Sequence, residues 1–115
     1  MVALPLVDET HGLISADVIA NMRESALFVN VGRGELVDQP ALTAALRDGH
    51  LGGAGLDVFT PEPLPADDPL WDLPNVIVTP HSSGTSDGTE HRAALVFLDN
   101  LERLTSGRHM VNLVG

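Results

Sequence analysis

The stretch from Ala26 to Val31 is apolar almost without interruption and runs straight into Gly32-Arg33-Gly34. A run of that kind lacks the polar alternation of a half-wet strand. It suits a strand of a parallel sheet, where both faces are covered. The glycines make a tight turn, and a helix start follows at Asp38, so Arg33 falls at the carboxyl end of a strand. Open α/β sheets bind their ligands at that end. Two further apolar runs end the same way. Gly53 to Val58 leads through Phe59, Thr60 and Pro61 to Glu62 and Pro63, and Val76 to Thr79 leads through Pro80 to His81, Ser82, Ser83 and Gly84. An arginine, a glutamate and a histidine at three strand ends form an inventory for polarising a carbonyl and moving a proton.

Helix signals lie around these runs. Ser15 is a good N-cap for a helix over about residues 16–23, with Val18, Ile19 and Met22 on one face. Asp38 can cap the next helix and Pro40 fits its first turn, while Leu42, Ala45 and Leu46 supply a buried stripe and Gly49 a stop. From about Thr89 to Ser106, Ala94, Phe97, Leu98, Leu101 and Leu104 repeat at helical spacing, and Gly107 ends the pattern. Val2 to Val7 reads as a first strand that ends near Pro5, since proline cannot continue a ladder. Thr60 to Pro74 holds five prolines and three aspartates and must be mostly loop. Strands alternating with short helices predict an α/β fold with a parallel sheet and right-handed crossovers, its helices covering both faces as α/β/α layers.

The 115 residues suit one domain or part of one. A net charge of -10 argues against nucleic acid, which demands clustered Lys and Arg. With no cysteine there are no disulfides or thiolate metal sites. His11, His50, His91 and His109 show no metal-ligand spacing, so no metal site is expected. No apolar run approaches the ~20 residues of a membrane span, and residues 1–5 lack a signal-peptide pattern. The default expectation is a cytoplasmic protein with no membrane partner.

Four segments, in order and at characteristic spacing, resemble the C-terminal part of the NAD-binding domain of the D-isomer-specific 2-hydroxyacid dehydrogenases. They are Leu4-Pro5-Leu6 with Thr10 and Gly12-Leu13-Ile14; Asn30-Val31-Gly32-Arg33-Gly34; Gly55-Leu56-Asp57-Val58-Phe59 with Glu62-Pro63; and Asn75 through His81. Gly107 to Val114 also looks like that family's C-terminus. The family includes glyoxylate and hydroxypyruvate reductases, phosphoglycerate dehydrogenase and formate dehydrogenase. The resemblance implies the C-terminal half of a Rossmann-like, doubly wound parallel sheet. It implies hydride transfer between NAD(H) and a D-2-hydroxy acid/2-oxo acid pair, with NADP left open, in a parent protein that is a homodimer.

The implied catalytic residues are Arg33, Glu62 and His81. Arg33 offers a rigid fork for a carboxylate and a ketone oxygen, a histidine titrates near working pH, and Glu62 beside it would favour the imidazolium and hold its orientation. The implied cofactor contacts are Leu4, Pro5, Leu6, Thr10, Val31, Gly32, Arg33, Asp57, His81, Ser83 and Gly84, with the Asp57 carboxylate facing the nicotinamide amide.

The family's G-x-G-x-x-G is missing: Gly32 and Gly34 begin such a spacing but Val37 ends it, and Gly53 and Gly55 are followed by Val58. The pyrophosphate turn, the ribose-reading acid and the separate substrate domain are therefore not in these residues. The expectation is a partial NAD-binding domain over residues 1–115, inactive alone, binding NAD poorly and self-associating through an apolar first strand. Rival readings are a non-enzymatic, NAD-sensing module like the transcriptional corepressors that resemble this family, or an inactive gene remnant.

Overall fold

A computed structural model of the chain describes residues 1–113, so Val114 of the C-terminal motif lies outside the described residues. The elements are α1 (Ala16–Ala20), β1 (Leu27–Asn30), a 3-10 turn (Gly34–Leu36), α2 (Gln39–Arg47), β2 (Gly53–Leu56), a second 3-10 turn (Pro69–Asp72), β3 (Val76–Val78) and α3 (Thr89–Thr105). They fall into two compact units, Met1–Gly84 and a second beginning at Thr85.

In the first unit the three strands pair in parallel in the order β1-β2-β3. Asn30 pairs with Leu56 and Leu56 with Val78, so the strands finish level. Every loop that leaves a carboxyl end therefore starts from one edge of the sheet. This is the parallel α/β arrangement that the apolar runs predict, and the Rossmann-like one that the resemblance implies. One cluster that includes Ile19, Phe28, Leu36, Leu42, Leu46, Leu51, Leu56 and Leu70 forms the core. Burying each of these large side chains contributes roughly 1.5–3 kcal/mol. The signals for α2 hold: Asp38 Oδ1 accepts from Ala41 N at 3.0 Å, Pro40 sits in the first turn, and Gly49 follows the end at a φ of 74°. Leu42 and Leu46 are buried and Ala45 half-buried, and Thr43 joins them by returning its hydroxyl to Gln39 O.

Three expectations need correction. The first strand shrinks to one bridge: Val2 N donates to Val29 O, and Val31 N donates to Val2 O. Pro5 has no N–H for a ladder, and the Thr10 hydroxyl ties Pro5 O and Val7 N into a turn, so the chain leaves the sheet. Leu4 and Leu6 are exposed as a result. Helix α1 stops at Ala20 and not at residue 23: the Asn21 side chain competes for Asp17 O, and Met22 N turns back to Ile19 O in place of the next helical bond. That single turn buries Ile19 and leaves Val18 exposed. In the second unit α3 forms where expected, yet buries none of its residues, and Phe97, Leu98, Leu101 and Leu104 are exposed. A lone helix has no second element of its own unit to cover an apolar stripe. Among the described residues no helix is long and apolar enough to cross a membrane, and no cluster of His, Asp and Glu could hold a metal ion.

Candidate active site

Asn30 closes β1 and is almost wholly buried. Its Oδ1 accepts from Gly32 N at 3.0 Å and its Nδ2 donates to Arg33 O at 3.0 Å, so the amide clasps the Gly-Arg-Gly turn. The Arg33 side chain projects outward, and Nη1 donates to Gly32 O at 2.7 Å. The turn is pressed against the loop that follows β2. A Cβ on Gly34 would lie 2.0 Å from Phe59 O, and one on Gly32 would meet Leu4 O at 2.9 Å. These close approaches are why glycine flanks Arg33 on both sides.

The loop after β2 carries Glu62, and the turn after β3 carries His81. Glu62 Oε1 accepts from Phe59 N at 2.9 Å, and Oε2 meets His81 Nδ1 at 2.9 Å. The hydrogen bond to His81 holds the Glu62 carboxyl below its ordinary range. Partial burial opposes this, while the Phe59 N–H and the nearby His81 and Arg33 charges assist it. An ionised carboxylate can only accept. Nδ1 therefore carries the proton, which leaves Nε2 as the free nitrogen of the ring. His81 itself holds a left-handed backbone, φ 51°, unusual for a residue with a side chain.

Asp57 follows β2 directly and is buried. Burial pushes its carboxyl up, but hydrogen bonds from Thr79, Ser83 and Ser82 outweigh that and hold it well below the usual range. Oδ1 accepts from the Thr79 hydroxyl and from Ser82 N at 2.9 Å, and Oδ2 accepts from Ser83 N at 2.8 Å. Both oxygens are thus engaged by the two sides of the His81 turn.

Two cavities flank these groups. One of about 320 Å³ has Val29, Val31 and Leu56 in its wall and Asp57, Thr79, Ser82 and Ser83 around it. An apolar wall with polar groups at strand ends fits the nicotinamide end of a dinucleotide. The other, about 580 Å³, is lined by Phe59, Leu64, Trp71 and Pro80 together with Glu62 and His81. The structure therefore brings together Val31, Asp57 and Ser83 at one cavity, and Glu62 and His81 at the other. Leu4 lies on Gly32, whereas Pro5 and Thr10 are committed to their own turn, Leu6 is exposed, and Gly84 stands in open space. Sequence reasoning did not single out Asn30 or Thr79 as site residues. The one available signal was a polar side chain closing an otherwise apolar strand.

A family model described as the D-isomer specific 2-hydroxyacid dehydrogenase, NAD binding domain, matches residues 1–83. Glyoxylate/hydroxypyruvate reductase B of Pectobacterium carotovorum is 48% identical over 113 residues, which cover 98% of this chain and 35% of that protein. The protein of that name from Citrobacter koseri is 47% identical over 96% of this chain and 34% of its own length. A D-isomer specific 2-hydroxyacid dehydrogenase from Xanthobacter autotrophicus, solved in complex with NADPH and MES, superposes with a TM-score of 0.90 at 44% identity, over 98% of this chain and 46% of that one. A probable 2-hydroxyacid dehydrogenase from Rhizobium etli, solved with NADP, HEPES and L(+)-tartaric acid, superposes at 0.86 with 34% identity, over 98% and 37%. The chain spans about a third of the length of the curated relatives it matches.

Proposed function

The chain belongs to the D-isomer-specific 2-hydroxyacid dehydrogenases, and we propose that in the whole protein it carries the proton-transfer side of the reduction of a small 2-oxo acid to its D-2-hydroxy acid. Glyoxylate and hydroxypyruvate are the substrates that the names of its relatives suggest. The observation that carries the reading is the 2.9 Å pair between His81 Nδ1 and Glu62 Oε2, on loops from the same sheet edge as the Arg33 turn.

Arg33 binds the substrate carboxylate and polarises the ketone through its guanidinium fork. His81, as the imidazolium, donates its Nε2 proton to the carbonyl oxygen as negative charge develops there, is left neutral with Nδ1 still protonated, and takes the proton back in the oxidative direction. Glu62 keeps Nδ1 protonated, so the nitrogen that works is always the same one. A reduced nicotinamide, from NADH or NADPH, supplies the hydride to the carbonyl carbon when bound. Val31 and Leu56 would form the wall against which that ring lies, and Ser83 would stand beside it. The homodimer belongs to the same reading and is supported by the family resemblance alone, while the cytoplasmic location is the default expectation of the sequence.

The test is NAD(P)H oxidation by the longer protein that contains this chain, with glyoxylate and hydroxypyruvate as substrates. Turnover that His81→Gln abolishes is the expected result. Absence of turnover, or turnover indifferent to His81, would reject the reading.

A further inference from the structure

We propose that Asn30 and Asp57 are positioning residues that form one buried brace: from adjacent strand ends, Asn30 sets the turn presenting Arg33 and Asp57 sets the turn presenting His81. The proposal takes the reaction from the reading above and the brace from the geometry.

Both side chains are polar and almost wholly buried, at 2% and 3% exposure, a placement that is unfavourable unless their hydrogen bonds are met. All of those bonds run to the two turns. Asn30 needs an acceptor for Gly32 N and a donor for Arg33 O at one time, and an amide offers both. Asp57 needs acceptors only, for Thr79, Ser82 and Ser83, and a carboxylate offers those. The donors lie on either side of His81, which holds a left-handed backbone that persists only where its flanks are pinned. The two anchors are themselves joined, because Asp57 N donates to Asn30 O at 3.0 Å. Among the described residues neither anchor bonds the Arg33 guanidinium, the Glu62 carboxylate or the His81 ring. They act on the turns that carry those groups, through backbone N–H and C=O groups and the Thr79 hydroxyl.

The experiment is nitrogen-15 NMR on this chain, comparing the wild type with Asp57→Asn, Thr79→Val and Asn30→Asp, after circular dichroism shows each variant folded. Asp57→Asn keeps the shape but sets an amide donor against donors. Amide exchange at Ser82 and Ser83 should then rise about tenfold or more, and the His81 ring signals should shift. Thr79→Val removes one donor and should act in the same direction, more weakly. Asn30→Asp keeps an acceptor for Gly32 N but sets a carboxylate oxygen against Arg33 O, and should displace the Gly34 amide, which shares that peptide. Unchanged His81 ring signals and serine exchange in Asp57→Asn would overturn the proposal. So would an Asp57→Asn whose sole effect, in a parallel NADH titration, is weaker binding, because Asp57 would then be a cofactor ligand. If even the wild type binds no NADH and the longer protein shows no turnover, the functional reading is what fails, and the exchange and ring signals still decide the brace.

Discussion

Gly34 and Phe59 approach so closely that a Cβ on the glycine would sit 2.0 Å from the Phe59 carbonyl oxygen. This contact presses the turn that carries Arg33 against the loop that carries Glu62. A methyl group there meets the Phe59 backbone first, which cannot swing aside, and then the Thr60 hydroxyl. Gly34→Ala is therefore expected to cost at least about 2 kcal/mol and to lower Tm by roughly 10 °C, measured by thermal unfolding. It should also disturb the Phe59 and Glu62 signals more than those of β3. A Tm within a degree or two of wild type would mean that the two loops are not held by this contact.

Asp57 predicts a pH dependence. Its carboxyl titrates lower in the fold than in the unfolded chain, where it titrates near about 3.9. The unfolded state then binds the proton first as pH falls. The stabilisation is complete at neutral pH, begins to fade near pH ~4 and is lost as pH drops through the native value. Glu62 shifts in the same direction but is partly exposed, so it adds little. Urea midpoints at a series of pH values should show a steep acid limb in the wild type and a flatter one in Asp57→Asn. Equal slopes would contradict the assignment.

Glu62→Gln should exchange the protons of the His81 ring. The Phe59 N–H still claims the side-chain oxygen, which turns the NH2 of the new amide toward Nδ1. Nδ1 must then accept, and the neutral ring carries its proton on Nε2. Ring proton–nitrogen correlation spectra at neutral pH would show the change directly. In the longer protein the same substitution is expected to lower kcat by roughly 10²-fold.

Self-association is expected of this chain, and the structure extends its basis. Not only the N-terminal segment but also Phe97, Leu98, Leu101 and Leu104 of α3 present apolar surface to water. Light scattering should give a mass above that of one chain, and Leu98→Glu with Leu104→Glu should bring it toward the monomer. A monodisperse wild-type monomer would refute this.

What the sequence made legible follows from local physics. The runs ending at Val31, Val58 and Thr79 are readable because parallel strands carry apolar residues on both faces and show no alternation in sequence, even though Leu27 and Ile77 are exposed here. The second helix is readable because Asp38, Pro40 and Gly49 each act within one turn of chain. Arg33, Glu62 and His81 are readable because they punctuate those runs. What stays hidden depends on contacts between distant residues. Val2 belongs to the sheet and Leu4 does not, which turns on where the Thr10 hydroxyl finds its partners. Nothing in the order of residues says that Asn30 folds back over its own turn, or that three donors from residues 79–83 converge on Asp57.

The level strand ends have a consequence for chain length. Asn30, Leu56 and Val78 stand in one row, so removing a residue within any of the three strands would slide its loop by about 3.3 Å and turn the residues that follow to the opposite face. A relative can therefore change its length more readily at 64–68, which pairs with no strand, than at 48–52, where His50 O and Gly52 N bond Ser25 N and Ala26 O and Leu51 is buried. A gap falling inside 27–34, 53–62 or 76–83 would break this row and move Arg33, Glu62 or His81 out of reach of the other two.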